Sequence, residues 1–239
     1  MRVAIVTPYF RECDELLRQC LESVAAQTYP CTHILVADGH PNEMVRARIA
    51  EHFILPRPHA DNGNFARCVG ALSAVSQGFE AVAFLDADNW YRPDHVASLV
   101  ELQRSTGAAV CTSGRSLHRA DGSVLMPVCV ETDGKEFADT STMFFHRAAF
   151  QLLPVWGLMP PALGPVGDRI IWRAVIERKL TRAHTHLPSL AFRTRYRTHY
   201  VRVGEAPPPG AKGRSDLQQA NAFWNAMSPD ERRQLVLGA

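Results

Sequence analysis

A chain of 239 residues, 46% apolar and 21% charged, has the composition of a folded globular protein and not of a disordered one. Its net charge of +2 excludes a global electrostatic case for nucleic-acid binding. The length fits one large domain or two small ones, and one domain is the simpler expectation.

Residues 2–6 read as a buried strand, which Thr7-Pro8-Tyr9-Phe10 breaks into a loop. Leu16, Leu17, Cys20, Leu21 and Val24 recur at helical steps and give one apolar face before Thr28-Tyr29-Pro30 ends the element. Residues 33–37 form a second strand signal closed by Asp38-Gly39. Met44, Val45, Ile49 and Phe53 suggest a helix, and Ile54-Leu55 a short strand stopped by Pro56 and Pro58. The loop 57–63 opens a helix at Asn64 whose apolar face holds Phe65, Val69, Leu72 and Val75, with Gly78 at its end. Residues 81–85 are a short, fully apolar strand running into Asp86-Ala87-Asp88. A proline-initiated helix over 93–103 and a strand over 108–112 follow. Strands separated by helices imply parallel crossover units, hence a doubly wound sheet.

The rhythm then changes. Asp121-Gly122 within 116–130 signals a hairpin, 140–146 a strand, 147–153 a short helix, and a longer helix runs from Gly167 through Val175 and Ile176. The uncharged run 152–166 contains Pro154, Pro160, Pro161 and Pro165, so it cannot be a regular membrane-spanning helix and reads as an apolar loop walling a pocket. Residues 190–196 read as a strand. Arg193, Arg195, Arg197 and Arg202 make a local basic cluster, either a solvated strand face or a phosphate contact. Pro207-Pro208-Pro209-Gly210 is a break before two helices, one capped by Ser215 and one opened by Ser228-Pro229-Asp230-Glu231. Six cysteines without a CxxC pair read as reduced, buried thiols. The four apolar residues after Arg2 are too few for a signal peptide, so a cytoplasmic location is expected.

Loops at the carboxyl ends of parallel strands share one edge, where open α/β folds bind ligands. That edge would collect Thr7, Pro8 and Tyr9, then Asp38, then Asn62-Gly63 with Arg67 one turn inside the helix, then Asp86-Ala87-Asp88. The set has the chemistry to hold a base, a ribose, phosphates and a metal. Two carboxylates suit a hard divalent cation of the Mg²⁺ type, which takes one or two carboxylates plus substrate phosphates. Each piece also has a plain structural reading: core for Tyr9, a turn for Asp38-Gly39, a cap for Asn64.

Thr7-Pro8-Tyr9-Phe10, Val36-Ala37-Asp38-Gly39, Asn62-Gly63 with Ala66-Arg67 and Gly70, and Phe84-Leu85-Asp86-Ala87-Asp88, in that order, resemble glycosyltransferase family 2, which has the GT-A fold. Asp139-Thr140-Ser141-Thr142 leading to Phe145-His146-Arg147, then Gly167-Asp168-Arg169, are similar to acceptor-side segments of bacterial members. The resemblance implies a Rossmann-like, mostly parallel sheet with helices on both faces and a smaller mixed sheet in the second half. The reaction it implies is sugar transfer from a nucleoside-diphosphate sugar, a UDP-sugar by preference, to an acceptor hydroxyl with inversion. Residues 1–106 would be the nucleotide-binding half, 107–200 the acceptor-binding half, and 201–239 a linker and helical extension.

In residue terms, the resemblance gives Asp38 the base, Thr7, Pro8 and Tyr9 the nucleoside pocket with Arg67 beside it, and Asn62 and Gly63 the donor loop. Asp88 becomes the direct Mn²⁺ or Mg²⁺ ligand, with Asp86 on the ribose or the metal shell and His199 as an additional ligand of metal or diphosphate. Asp168 is the general base. The family often has a Glu-Asp pair there, and Gly167 stands in the first place. Asp139, Thr140, Ser141 and Trp156 are expected on the acceptor side. The acceptor is a glycan, a lipid-linked or a small molecule, and peripheral membrane contact stays open. A phosphatase of the haloacid-dehalogenase kind fits less well because Asn89-Trp90 follows the acid pair, and a pyrophosphorylase because residues 7–14 hold no glycine. A catalytically inactive nucleotide-sugar-binding or partner-interaction domain is the alternative.

Overall fold

In the computed structural model, which describes residues 1–49, 51–213 and 215–238, the first half alternates as the apolar periodicities require. It comprises β1 (Val3–Tyr9), α1 (Asp14–Ala25), β2 (Cys31–Ala37), α2 (Glu43–Arg48), β3 (Glu51–Ile54), α3 (Asn64–Ser76) and β4 (Ala81–Phe84). There follow β5 (Trp90–Tyr91), α4 (His95–Thr106), β6 (Val110–His118), β7 (Val124–Cys129), β8 (Met143–His146), α5 (Val155–Leu158) and α6 (Gly167–Glu177). β9 (Arg182–Arg193), α7 (Arg197–Arg202), α8 (Ser215–Ala226) and α9 (Pro229–Leu237) close the chain.

Among the described residues the nine strands belong to one sheet, ordered β3-β2-β1-β4-β8-β6-β9-β5, with β7 beside β6. β1 to β4 pair in parallel, as expected. The expected separate second sheet is instead continuous with the first, because β8 enters antiparallel between β4 and β6. Its residues feed both faces: Phe145 lies in the core with α3, α5 and α6, and Phe144 in the core with α1 and α4. A strand apolar on both sides belongs inside a sheet, not at its edge.

β1 runs three residues further than the sequence suggests, through Pro8. Val6 O accepts from Leu85 N at 3.0 Å, so alternate residues of β1 turn their backbone groups toward β4. Pro8 faces the same way, but pairing with β4 ends at Val6 opposite Phe84, so its missing N–H interrupts no ladder.

The hairpin lies where Asp121-Gly122 places it, with Arg119 N donating to Ser123 O at 2.8 Å. Two elements had no clear signal. β9 begins at Arg182, eight residues before the expected strand, because its first half pairs in parallel with β6 despite its polar composition. α7 holds Arg197 and Arg202, so the arginine cluster is divided among a strand end, a connection and a helix.

The run 152–166 is not an open loop. It folds into α5 and a 3-10 turn over Pro161–Val166, and its apolar residues Leu152, Val155, Leu163 and Val166 are buried in the core that faces α3. α8 packs on that turn and α9 on α6, burying Ala220, Leu235 and Val236 in the same core. The capping box opening α9 is complete: Glu231 N donates to Ser228 Oγ at 3.2 Å and Ser228 N to Glu231 Oε2 at 2.7 Å. No helix among the described residues is long and apolar enough to cross a membrane.

Candidate active site

β4 ends at Phe84, and the chain turns at once, with Asn89 N donating to Asp86 O at 2.9 Å. Alternation across this turn sends Ala87 inward, against Tyr9, Leu17 and Leu35, and leaves the Asp86 and Asp88 carboxylates half-buried on the rim. The two acids have different partners. Asp86 is paired with Arg67 at 2.5 Å, and Arg67 also donates to Asn62 O at 2.8 Å and Asn64 Oδ1 at 3.1 Å. Asp88 has Arg195 Nη2 at 3.9 Å, and its backbone oxygen accepts from Arg193 Nε at 3.3 Å. Burial first, and then the Asp86 charge, push the Asp88 carboxyl up to about 6.

The segment Asp139–Thr142 is tied directly to this turn. Asp86 N donates to Ser141 Oγ at 3.1 Å, and Ser141 N donates to Asp139 Oδ1 at 3.0 Å. Asp139 caps the 3-10 turn over Thr140–Thr142, its other oxygen held by Arg115 Nη1 at 2.6 Å. Asp168 stands in the first turn of α6, where its Oδ1 accepts from Arg169 N at 2.7 Å. Burial and the nearby Asp139 charge push the Asp168 carboxyl up to about 7, in the range a general base needs. The Tyr196 phenol is pushed up to about 12 by burial and by the charges of Asp168 and Asp139, and its ring lies edge-on to His199 at 5.6 Å.

Gly167 has a packing reason. A Cβ built there would lie 2.9 Å from both Nδ2 and Oδ1 of Asn64, a fully buried side chain that also donates to Met159 Sδ at 3.6 Å. The start of α6 is docked on the start of α3, and a side chain at 167 has no room. At Gly63 the backbone itself decides: φ is +79° and a Cβ would meet Pro8 at 3.0 Å. Beside it, Asp61 Oδ2 accepts from Phe65 N at 2.7 Å and caps α3, the role Asn64 has in the plain reading of the sequence.

Three expectations need correction. Trp156 is 1% exposed, edge-on to Phe84 at 5.7 Å and beneath the Arg67 guanidinium at 5.2 Å; it supports Arg67 from the core and offers no wall to an acceptor. His199 is not an exposed loop residue. It is buried on α7 with Nδ1 at 2.6 Å from Thr194 Oγ1 and Nε2 at 3.0 Å from Glu131 Oε2, so neither nitrogen is left for a metal. Thr7 and Tyr9 point inward, because odd positions of β1 share the face of Val3 and Ile5. Thr7 Oγ1 lies 2.8 Å from His33 Nε2 and Tyr9 OH 2.8 Å from His52 Nε2; of the three, Pro8 abuts the Asn62-Gly63 turn.

Asp38 is buried at the end of β2, accepting from His59 N at 3.0 Å and lying 2.8 Å from His59 Nδ1, while the His59 ring stacks on Phe65 at 4.2 Å. His59, Asn64, Arg115, Glu131 and Tyr196 had no motif to mark them. Asn89 followed the acid pair directly and was the legible one: it is buried, with Oδ1 accepting from Arg193 N at 2.8 Å.

For a divalent cation, the donor set is the test. Among the described residues no group of three or more His, Cys, Asp and Glu side chains could hold a metal. Two carboxylates in one turn, one of them pushed up by burial and then by the other's charge, fit a cation that completes its shell with diphosphate oxygens and water.

A family model described as "Glycosyl transferase family 2" matches residues 4–146. The succinoglycan biosynthesis protein ExoW of Rhizobium meliloti (strain 1021) is 33% identical over 103 residues, which are 40% of this chain and 32% of that protein. The match therefore spans about a third of that relative. Among solved structures, S. aureus TarS 1-349 in complex with UDP superposes with a TM-score of 0.61 at 14% identity, covering 98% of this chain and 78% of that one. The mannosyltransferase PcManGT from Pyrobaculum calidifontis, in complex with GDP-Man and Mn²⁺, gives 0.59 at 12% identity, covering 99% and 68%. At such identities the likeness is one of fold, and the fold is the expected one.

Proposed function

The chain belongs to glycosyl transferase family 2, and from that premise we propose that it moves a sugar from a nucleoside-diphosphate sugar, UDP-linked, to an acceptor hydroxyl with inversion at the anomeric carbon. The observation that carries the reading is the chain of bonds Asp86–Ser141–Asp139, which joins the β4 turn to the acid-lined side holding Asp168. UDP and UDP-GlcNAc are bound by TarS, and GDP-Man with Mn²⁺ by PcManGT, which supports a nucleotide-sugar donor here.

In this reading the donor base lies near Asp38 and the Asn62-Gly63 loop, and the diphosphate over Asp86 and Asp88, with Arg195 at hand. Asp88 and Asp86 would hold Mn²⁺ or Mg²⁺, which neutralises charge growing on the leaving diphosphate. Arg67, itself buried, holds the Asp86 carboxylate in place by a charge-assisted pair. Asp168 takes the proton from the acceptor hydroxyl as that oxygen attacks; a carboxylate with a pKa near 7 is half deprotonated at neutral pH and basic enough to accept it. The acceptor meets Asp139, Thr140 and Ser141 on the same side. Packing against Asn64 accounts for Gly167, which stands where the family often has a second acid. Six free cysteines are in keeping with a reducing, cytoplasmic setting.

The test is a titration of UDP with and without Mn²⁺, followed by turnover of UDP-sugars. Metal-dependent affinity should be lost in Asp88→Ala. Asp168→Asn should bind UDP as before and transfer nothing. Metal-independent UDP binding would refute the role of Asp88, and full turnover by Asp168→Asn would refute the base.

A further inference from the structure

A knot of charged groups, buried at Arg115 and His199 and open to solvent at Glu131 and Arg202, lies between β6, the exit of β7 and α7. Glu131 accepts from Arg115 Nη2 at 3.1 Å and from Arg202 Nη1 at 2.9 Å, and His199 Nε2 stands 3.0 Å from its Oε2. The His199 ring is fixed at both ends, since Thr194 Oγ1 holds its other nitrogen. Arg115 directs its second terminal nitrogen to Asp139, and its guanidinium covers the Phe192 ring at 4.5 Å. One carboxylate thereby joins the strand beneath Asp139 to the helix that follows Tyr196.

What the knot restrains is the connection from β9 to α7. At its start Arg193 is fastened to the β4 turn, with its backbone N–H on Asn89 and its side chain over the Trp90 ring at 5.0 Å. At its end are His199 and Arg202. Arg195, 3.9 Å from Asp88, and Tyr196, its ring edge-on to His199 at 5.6 Å, lie between two fixed points. Packing alone does not call for this arrangement: apolar residues of similar volume usually serve stability as well as a buried ion network or better. A network of this kind instead sets one position for the groups it joins.

We propose that Glu131 is a positioning residue of the transfer reaction: by tying His199 and Arg202 to Arg115, it fixes the Arg195-Tyr196 connection relative to Asp139. The proposal rests on the transferase reading above. It makes Glu131 responsible for the geometry of the acceptor side and not for donor affinity.

Three measurements on the full chain test it, with Glu131→Gln and His199→Gln, singly and together: UDP affinity with Mn²⁺, hydrolysis of UDP-GlcNAc with water as acceptor, and amide hydrogen exchange over residues 193–203. UDP affinity should change by less than about threefold while kcat falls about tenfold or more, as misplacement of a positioned group predicts. Exchange over 193–203 should quicken, and the double variant should lose no more than the worse single, since the two residues act as one unit. If Glu131→Gln fails to fold, Arg202→Met removes another arm of the same knot and carries the same expectations. Unchanged exchange in folded variants overturns the proposal, as does unchanged kcat in both singles. A wild-type chain that binds UDP but turns over no nucleotide sugar overturns the transferase reading instead, and exchange alone then decides the clamp.

Discussion

Gly167→Ala adds a single methyl group where the start of α6 meets the start of α3, and the structure sets its cost. The new carbon would stand 2.9 Å from two atoms of the Asn64 amide, inside any real van der Waals contact. Asn64 has nowhere to swing: it is buried, its Oδ1 accepts from Arg67 and its Nδ2 donates to Met159. Overpacking of this kind costs about 1–3 kcal/mol. Breaking the Asn64–Arg67 bond adds about 0.5–1.5 kcal/mol. Against this, alanine is the better helix former by up to about 1 kcal/mol, and by less at a first helical position. The clash wins, with a net loss of about 1–3 kcal/mol and a fall in Tm of about 2–12 °C for a chain of this size. Thermal unfolding of Gly167→Ala beside the wild type measures it. Asn64→Gly combined with Gly167→Ala should recover the part due to the clash, and Gly167→Glu should fall further than Gly167→Ala. An unchanged or raised Tm in Gly167→Ala, or a Gly167→Glu variant of full stability, would refute the packing account of this glycine and restore the question of the missing acid.

Turnover should rise with pH through about 7, as Asp168 loses its proton, and Asp139→Asn should move that limb to lower pH by removing the like charge; a pH–rate profile for each reads both. Asp168 has a folded pKa raised above 3.8, so its carboxylate favours the folded state less and less as pH climbs from 3.8 to about 7. Asp168→Asn should therefore stabilise the chain at pH 8, by part of an upper bound of about 4 kcal/mol, in urea unfolding. Glu131 has the opposite sign: its pKa is depressed from 4.5 to about 2, chiefly by His199, so it stabilises above pH 4.5 and loses that contribution as pH falls toward 2. In acid unfolding, Glu131→Gln should remove up to about 3 kcal/mol of pH-dependent stability in that window. Trp156→Ala should cost about 3–5 kcal/mol as a buried aromatic deletion, with its effect on turnover exerted through Arg67 and not as a raised acceptor KM.

The sequence by itself determined the parallel first half and the rim that holds Asp38, Asn62-Gly63, Asp86 and Asp88, because strands buried on both faces and helices with one apolar face carry their periods locally. It also showed the hairpin at Asp121-Gly122 and the capping box at Ser228, each written in neighbouring residues. Which way a side chain faces was less legible wherever an element ran past its apparent end. Thr7 and Tyr9 turn inward because β1 continues through Pro8, and that depends on where β4 leaves the sheet. The run 152–166 looked like a loop because prolines forbid a long helix, yet a short helix and a 3-10 turn suffice to bury it once α3 supplies the other surface.

Only the tertiary structure decided the acceptor side. Ser141 reaches Asp86 across 55 positions of sequence, and Glu131 reaches His199 across 68. Such pairs leave no period and no motif, since their spacing along the chain is fixed by the sheet order that brings β8, β6 and β9 together. His199, a metal ligand by sequence resemblance, became a buried strut for the same reason: its partner is a carboxylate that no local pattern connects to it.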